Sequence, residues 1–250
     1  MSVDFSKCEL LNYENLNRIV DEKSIDYLQA APFPHIVIDD FLSSELVSAL
    51  AEKFPRAQKK EGQGEHSASM DDGSPAQHNK VWQSQQSGLD LSLRRLCWEL
   101  NSGTFLTLLE KLSGIQGLLP DPHLKGGGAH QILPGGFLKI HADFNKHPET
   151  LLDRRINLLI YFNDNWQDSY GGHLELWPED MAACAQKILP IAGRCVIFST
   201  SQTSYHGHPV PMSCPPDRTR KSLALYYYSL GEAGAEQQKP IGTVWQTTTG

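Results

Sequence analysis

The sequence predicts a mainly β fold with flanking helices: a sandwich or barrel of short strands, buttressed by helices from the N-terminal half. Two observations carry this. From about residue 127 the chain runs through GFLKIHADF, RINLLIYFN, GGHLELWPE, KILPIAG, RCVIFST, YHGHPVP and KSLALYYYS. These are short apolar runs punctuated by Gly, Pro, Asn and Asp, with no helical stretch between them. Helical spacing of apolar residues is confined to segments before residue 115. No linker separates the two regions, so the expectation is a single domain over 1–250. Residues 1–125 would supply helical and strand support and a polar loop, 126–230 the strand-rich core, and 231–250 a tail.

Taken in order, HIVIDDF (35–41) reads as a strand because β-branched residues alternate with others. Ser43 or Ser44 can cap a helix through roughly Lys53, which Pro55 stops. Residues 56–80 are polar and rich in Gly, Ser and Gln, so they read as a long loop; loops of that length are usually functional or disordered. Residues 89–114 carry apolar residues at helical spacing, with a break at Ser102-Gly103. The tail is polar apart from Val244-Trp245, so it is expected to be loose or docked only by that pair.

The composition is that of an ordinary globular protein, 40% hydrophobic and 20% charged, and the length allows a sizeable core without a structural metal or disulfide. A net charge of -7 argues against nucleic acid or an anionic membrane as partner. The five cysteines (Cys8, Cys97, Cys184, Cys195, Cys214) are odd in number, widely spaced and form no CxxC pair, which points to free thiols in a reducing compartment. The first residues lack the basic and apolar regions of a signal peptide, and no run reaches the ~18 apolar residues of a membrane span. The expected location is the cytoplasm. Oligomeric state is not legible.

The chemistry begins at HADF, 141–144. On a strand, residues i and i+2 share a face, so His141 and Asp143 project together. An HxD pair alone is weak, but SYHGHPVP follows and offers His206 or His208 as a third ligand. Two histidines and one carboxylate leave three positions open on an octahedral metal, the facial triad of non-haem Fe(II) oxygenases. A closed zinc site would use four protein ligands, usually with Cys. An oxygenase of this kind draws electrons from a cosubstrate. A 2-oxo acid would chelate iron at one end and need a buried cation at the other, a task suited to the planar fork of Arg. DRTRKSLALYYYS supplies Arg218 and Arg220, the latter at a strand entrance.

With these motifs in place, Gly135–Tyr228 resembles the catalytic domain of Fe(II)/2-oxoglutarate-dependent dioxygenases of the prolyl 4-hydroxylase-like branch. The match runs through GGFLKIHADFN, RRINLLIYFNDNW, GGHLELWPED, ILPIAGRCVIFST, YHGHP and RKSLALYYY in order, and is particularly similar to the oxygen-sensing prolyl hydroxylases around IYFNDNW and GGHLELWPE. The resemblance implies a double-stranded β-helix (jelly roll) core. It implies His141, Asp143 and His206 as Fe(II) ligands, His206 because it lies eight residues after Phe198. It implies Arg220 as the partner of the 2-oxoglutarate C5 carboxylate, with Tyr161 bonding the same group.

The implied activity is hydroxylation of an unactivated C–H bond, consuming O2 and 2-oxoglutarate and releasing succinate and CO2, with ascorbate as a reductant. The substrate is a prolyl peptide or an amino-acid-like small molecule. Asp143 argues against halogenation. Two other readings stay open at this stage: a zinc hydrolase, and a non-catalytic jelly-roll binding module. The gap from His206 to Arg220, with MSCPPD inside it, is longer than the family's usual gap. Gly171-Gly172 is expected to make a tight turn, and Trp166 and Trp177 to pack. Asn157 is expected to face the cosubstrate, Gln131 and Gly126–Gly128 to line an entrance, and His130, His147 and His173 to lie at the surface or behind the site. Residues 56–80 are expected to form a flap over the metal.

Overall fold

The computed structural model describes residues 5, 9–57, 69–70, 72–231 and 238–247. Nearly half of the expected flap, 58–68 and 71, lies outside them, as does Cys8. The elements in chain order are α1 (Tyr13–Gln29), β1 (His35–Ile38), α2 (Ser44–Glu52), β2 (Gln77–Gln83), α3 (Leu91–Leu100), α4 (Gly103–Ser113), β3 (Leu119–Pro120), β4 (Gly128–Ala142), β5 (Asp153–Tyr161), β6 (Leu174–Trp177), β7 (Gln186–Ile188), β8 (Cys195–Ser199), β9 (Tyr205–His208), β10 (Arg220–Ser229) and β11 (Val244–Trp245).

The helices start where the sequence supplies caps. Ser43 Oγ accepts from the Leu46 amide at α2, Asp90 from Ser92 at α3, and Ser102 from Phe105 at α4. Gly114, at φ 73°, closes α4 in the left-handed region. The break at Ser102-Gly103 is therefore real: the first residue caps and the second opens a new helix. One helix has no counterpart in the sequence reading. In α1 only Leu16, Val20 and Tyr27 are buried, so the periodic signal is thin; Asn12 caps it by accepting from the Asn15 amide. Tyr27 makes a 2.8 Å hydrogen bond with Ser199 Oγ on β8.

Every strand pairing is antiparallel, in the order β1-β8-β5-β10-β4-β9-β6-β7, with β2 and β11 also on β4 and β3 on β10. The sheet curls into the expected jelly roll. The helices cover the β1-β8-β5-β10 part of the sheet, and their apolar faces join it in one cluster of buried residues. Phe105 of α4, for example, meets Phe41 edge-on at 6.3 Å and Tyr227 of β10 at 6.4 Å. Each such ring or Leu buried stabilises by roughly 1.5–3 kcal/mol. The opposite face of the curl is left for a cavity.

β4 organises that cavity, because its length lets it pair with four strands. Along the pairing with β9, Leu138 faces His208 and His141 faces His206, so Lys139 and Ile140 of β4 together oppose the single Gly207 of β9. This bulge turns Leu138 and His141 to the same side although they are an odd number apart. β5 has a second bulge, where Arg154 pairs with Tyr228 and Ile156 with Tyr227, leaving Arg155 extra. Arg154 thereby shares a face with Asn157. Gly207, between the two histidines of β9, lies so close to β4 that a Cβ would stand 2.7 Å from the Lys139 carbonyl oxygen.

Candidate active site

A cavity of about 290 Å3 opens on the concave side of the sheet, lined by residues of β2, β4, β5, β6, β9, β10 and β11. At its floor His141, Asp143 and His206 converge, one donor atom from each lying within 4.8 Å of the others. His141 Nε2 is 3.7 Å from Asp143 Oδ1, and His206 Nε2 is 3.4 Å from Asp143 Oδ2. Both histidines point Nδ1 at a backbone carbonyl, Lys139 and Ser204 respectively, each at 2.9 Å. A carbonyl only accepts, so the proton sits on Nδ1 and the Nε2 lone pair faces the cluster. That tautomer is the one a metal requires, and the backbone fixes it.

Burial, then the neighbouring His206, pushes His141 down to about 3, and burial lowers His206 as well. Both rings are thus neutral donors at physiological pH. Burial alone would raise the Asp143 carboxyl. The Arg154 guanidinium, the two histidines and the Asn157 amide together outweigh it and hold the group well below the usual carboxylate range. Arg154 lies 2.9 Å from Asp143 Oδ2, and Asn157 Nδ2 donates to the same oxygen at 2.8 Å. Two neutral imidazoles and one anchored carboxylate fit a divalent ion such as Fe(II). His208 is left out of this cluster. It sits two residues along β9 and lines the cavity wall.

Arg220 is buried at the cavity's other end. Its Nε donates to the Gly172 carbonyl at 2.6 Å and its Nη2 to the Tyr161 hydroxyl at 3.3 Å. No carboxylate among the described residues pairs with it, and the rest of its fork remains for a carboxylate. Gly172 lets the guanidinium in: its φ is 72°, and a Cβ there would stand 3.0 Å from Arg220 Cδ. Gly171 has φ 70°, so the expected tight turn is present. Arg218 instead sends Nη1 out to the Asp164 carbonyl. The longer β9–β10 connection, including Met212 and Cys214, packs against Trp166, so the extra residues leave Arg220 in place.

Some expectations are corrected. His130 and His147 are buried, and His130 lines the cavity. Gln131 turns away from the cavity to donate to the Pro55 carbonyl, as its alternation with His130 dictates, and of Gly126–Gly128 only Gly126 lines the cavity. Asn157 lines the cavity and bonds Asp143. The described end of the 56–80 loop is a strand: β2 begins at Gln77, and Lys80 reaches the cavity. The tail is held by more than Val244-Trp245. Asn145 donates to the Lys239 carbonyl and accepts from the Ile241 amide, while Trp245 lays its ring 4.8 Å from that of His141. The sequence reading missed Arg154, Lys80 and Trp245. The RR pair before INLLIYF was the one visible signal for Arg154.

Comparison with known proteins agrees with this geometry. Residues 127–228 match the model of the 2OG-Fe(II) oxygenase superfamily, a span that holds the triad, Tyr161 and Arg220. No curated protein matches the chain in sequence. Among solved structures, a Pseudomonas putida prolyl-4-hydroxylase is similar with TM-score 0.53 and 20% identity, covering 86% of this chain and 100% of that one. A Trichoplax adhaerens prolyl hydroxylase, in complex with a hypoxia inducible factor peptide fragment, gives TM-score 0.53 and 18% identity over 87% and 90%. HygX from Streptomyces hygroscopicus, with nickel, 2-oxoglutarate and hygromycin B bound, gives 0.51 and 12% over 78% and 82%. Residues 127–228 thus match a 2OG-Fe(II) oxygenase domain on a fold shared with prolyl hydroxylases, which supports a 2-oxoglutarate-dependent dioxygenase whose His141, Asp143 and His206 could bind iron.

Proposed function

We propose that the enzyme hydroxylates a C–H bond of an amino-acid-like small molecule or a peptide residue, with His141, Asp143 and His206 holding Fe(II) and Arg220 and Tyr161 holding the far carboxylate of 2-oxoglutarate. The observation that carries the assignment is the pairing of two features in one cavity: a cluster with three donors on one side, and a buried Arg with no carboxylate partner among the described residues on the other. When bound, Fe(II), 2-oxoglutarate and O2 supply oxidative decarboxylation to succinate and CO2 and delivery of one oxygen atom to the substrate.

The chain's own residues do the rest. Nδ1 bonds to backbone lock both imidazoles with Nε2 free, and Arg154 with Asn157 fixes which way the carboxylate turns. The Arg220 fork positions the cosubstrate by its far end, aided by the Tyr161 hydroxyl. Trp245 and the β2 residues Gln77 and Lys80 form part of the cavity wall. A cavity of about 290 Å3 suits a small molecule or one residue of a peptide. Among similar folds, one was solved with a peptide fragment and one with hygromycin B, so the fold accommodates both kinds of ligand.

The test is succinate formation from 2-oxoglutarate with Fe(II) and ascorbate, alongside a mass-spectrometric search for +16 products across amino acids and prolyl peptides. A protein that binds Mn(II) but neither binds nor consumes 2-oxoglutarate would overturn the assignment.

A further inference from the structure

We propose that Lys80 forms a carboxylate-binding subsite for the substrate, so that this enzyme acts on a small carboxylate-bearing molecule such as an amino acid. The proposal rests on the 2-oxoglutarate reading above. Lys80 lies on β2 opposite Ile132 of β4, and Arg220 lies opposite the same Ile132 from β10. The three residues form a row across the sheet, and all three line the cavity. With strands ~4.8 Å apart, the Lys80 and Arg220 backbones stand ~10 Å apart with Ile132 between them. Two cations therefore face one cavity from neighbouring positions.

Charge decides what they are for. The cavity's ionisable lining is Lys80, Arg154, Arg220 and Asp143, together with His130, His141, His206 and His208, which burial keeps neutral. Arg154 is matched by Asp143. A divalent metal is matched by the two carboxylates of 2-oxoglutarate. The far carboxylate of 2-oxoglutarate lies against Arg220, so Lys80 is the cation of the lining left without a partner of its own in the loaded site. An uncompensated buried charge is costly, and no carboxylate among the described residues pairs with Lys80. Its ammonium sits 5.8 Å from the Trp82 ring, a contact that shapes the pocket without neutralising the charge. A substrate carboxylate supplies what is missing.

His130 extends the subsite. It stands in the next row on β4, opposite Trp82, close enough to Lys80 for the lysine's charge to bear on its ring. Its ring lies near the Gly127 and Gly126 backbone, and Nε2 has no partner among the described residues. That nitrogen is a buried polar atom available to a substrate group. Carboxylate plus nearby donor is the recognition pattern of a free amino acid.

The experiment uses the whole protein loaded with Mn(II) and 2-oxoglutarate under anaerobic conditions, titrated calorimetrically with the twenty free L-amino acids and their carboxamides. The expected result is that at least one free acid binds about tenfold or more tightly than its amide, a charge-assisted bond's worth. Lys80→Met should erase that preference and Lys80→Arg keep it, with 2-oxoglutarate affinity within about twofold throughout. If no acid outbinds its amide, if the preference survives in Lys80→Met, or if Lys80→Met loses 2-oxoglutarate instead, the subsite is wrong. Failure of the underlying reading looks different: the wild-type protein would then not bind 2-oxoglutarate at all.

Discussion

The guanidinium of Arg154 lies 2.9 Å from Asp143 Oδ2, and its plane is stacked 3.5 Å from the Tyr226 ring centroid and 4.5 Å from that of Phe144. The stack holds the cation where it can fix one oxygen of the carboxylate. Arg154→Met should weaken Mn(II) or Fe(II) affinity about 10–100-fold, because the orienting partner is gone. Lys should not rescue, since it lacks the planar group that the two rings grip. Metal titration of the three proteins checks this; an affinity unchanged in Arg154→Met would show that the carboxylate needs no such support.

The two histidines of β9 should separate cleanly. His206→Ala should abolish metal binding, whereas His208→Ala should leave metal affinity within about threefold, because only His206 brings a nitrogen to Asp143. Equilibrium dialysis with Mn(II) distinguishes them. Loss of metal in both variants would mean that the cluster rearranges to recruit His208.

Arg220 and Tyr161 should be unequal in their hold on 2-oxoglutarate. Arg220→Ala removes a charge-assisted pair and should raise the 2-oxoglutarate Kd by roughly 10–150-fold, while Tyr161→Phe removes a neutral hydrogen bond and should cost about threefold to tenfold. Both should leave Mn(II) binding intact, so a metal titration beside the 2-oxoglutarate titration separates a cosubstrate role from general misfolding.

Acid should destabilise the metal-free protein before it reaches the carboxylate range. His130 and His141 are pushed from 6.5 to about 3, chiefly by burial. Below pH 6.5 the unfolded chain binds protons that the folded one refuses, so stability is lost as pH falls from 6.5 towards 3. Between pH 6.5 and 5 each ring costs about 2 kcal/mol. Thermal melts at pH 7.5 and 5.0 should show a clear drop in Tm, smaller in a His130→Phe variant. Equal melting temperatures at the two pH values would contradict the buried, neutral assignment.

Lys80 should cost stability in order to serve the site. Burial, with Arg220 and Arg154 nearby, lowers it to about 8 despite the pull of Asp143. At pH 7 the folded protein therefore carries an unmatched charge, and Lys80→Met should raise Tm, by about 1–3 kcal/mol in stability. As pH rises from 8 towards 10.5 the folded lysine loses its proton before the unfolded one does. The wild type regains stability there and the variant's advantage shrinks. Melts at pH 7 and 9.5 read both effects. A variant no more stable at pH 7 would mean that the ammonium is well solvated.

The local chain by itself determined a good deal. Strand periodicity and turn residues announced the β core, Ser102-Gly103 announced a helix break, and the HxD at the end of β4 with the distal His206 and Arg220 announced side chains that the fold brings to one cavity. These are short-range signals, or single residues in distinctive surroundings. What the tertiary structure alone decided is which side chains meet across strands. Two bulges, one in β4 and one in β5, break the period-two alternation and turn Leu138 and His141, and Arg154 and Asn157, to common faces; no count along the chain could anticipate that. Lys80 sits in a polar stretch whose strand exists because β4 pairs with it. Trp245 reaches His141 from about a hundred residues away because the tail adds a last strand to the same β4 edge. Such pairings stabilise the strands that make them, so their sequence signal is weak until the fold brings the partners together.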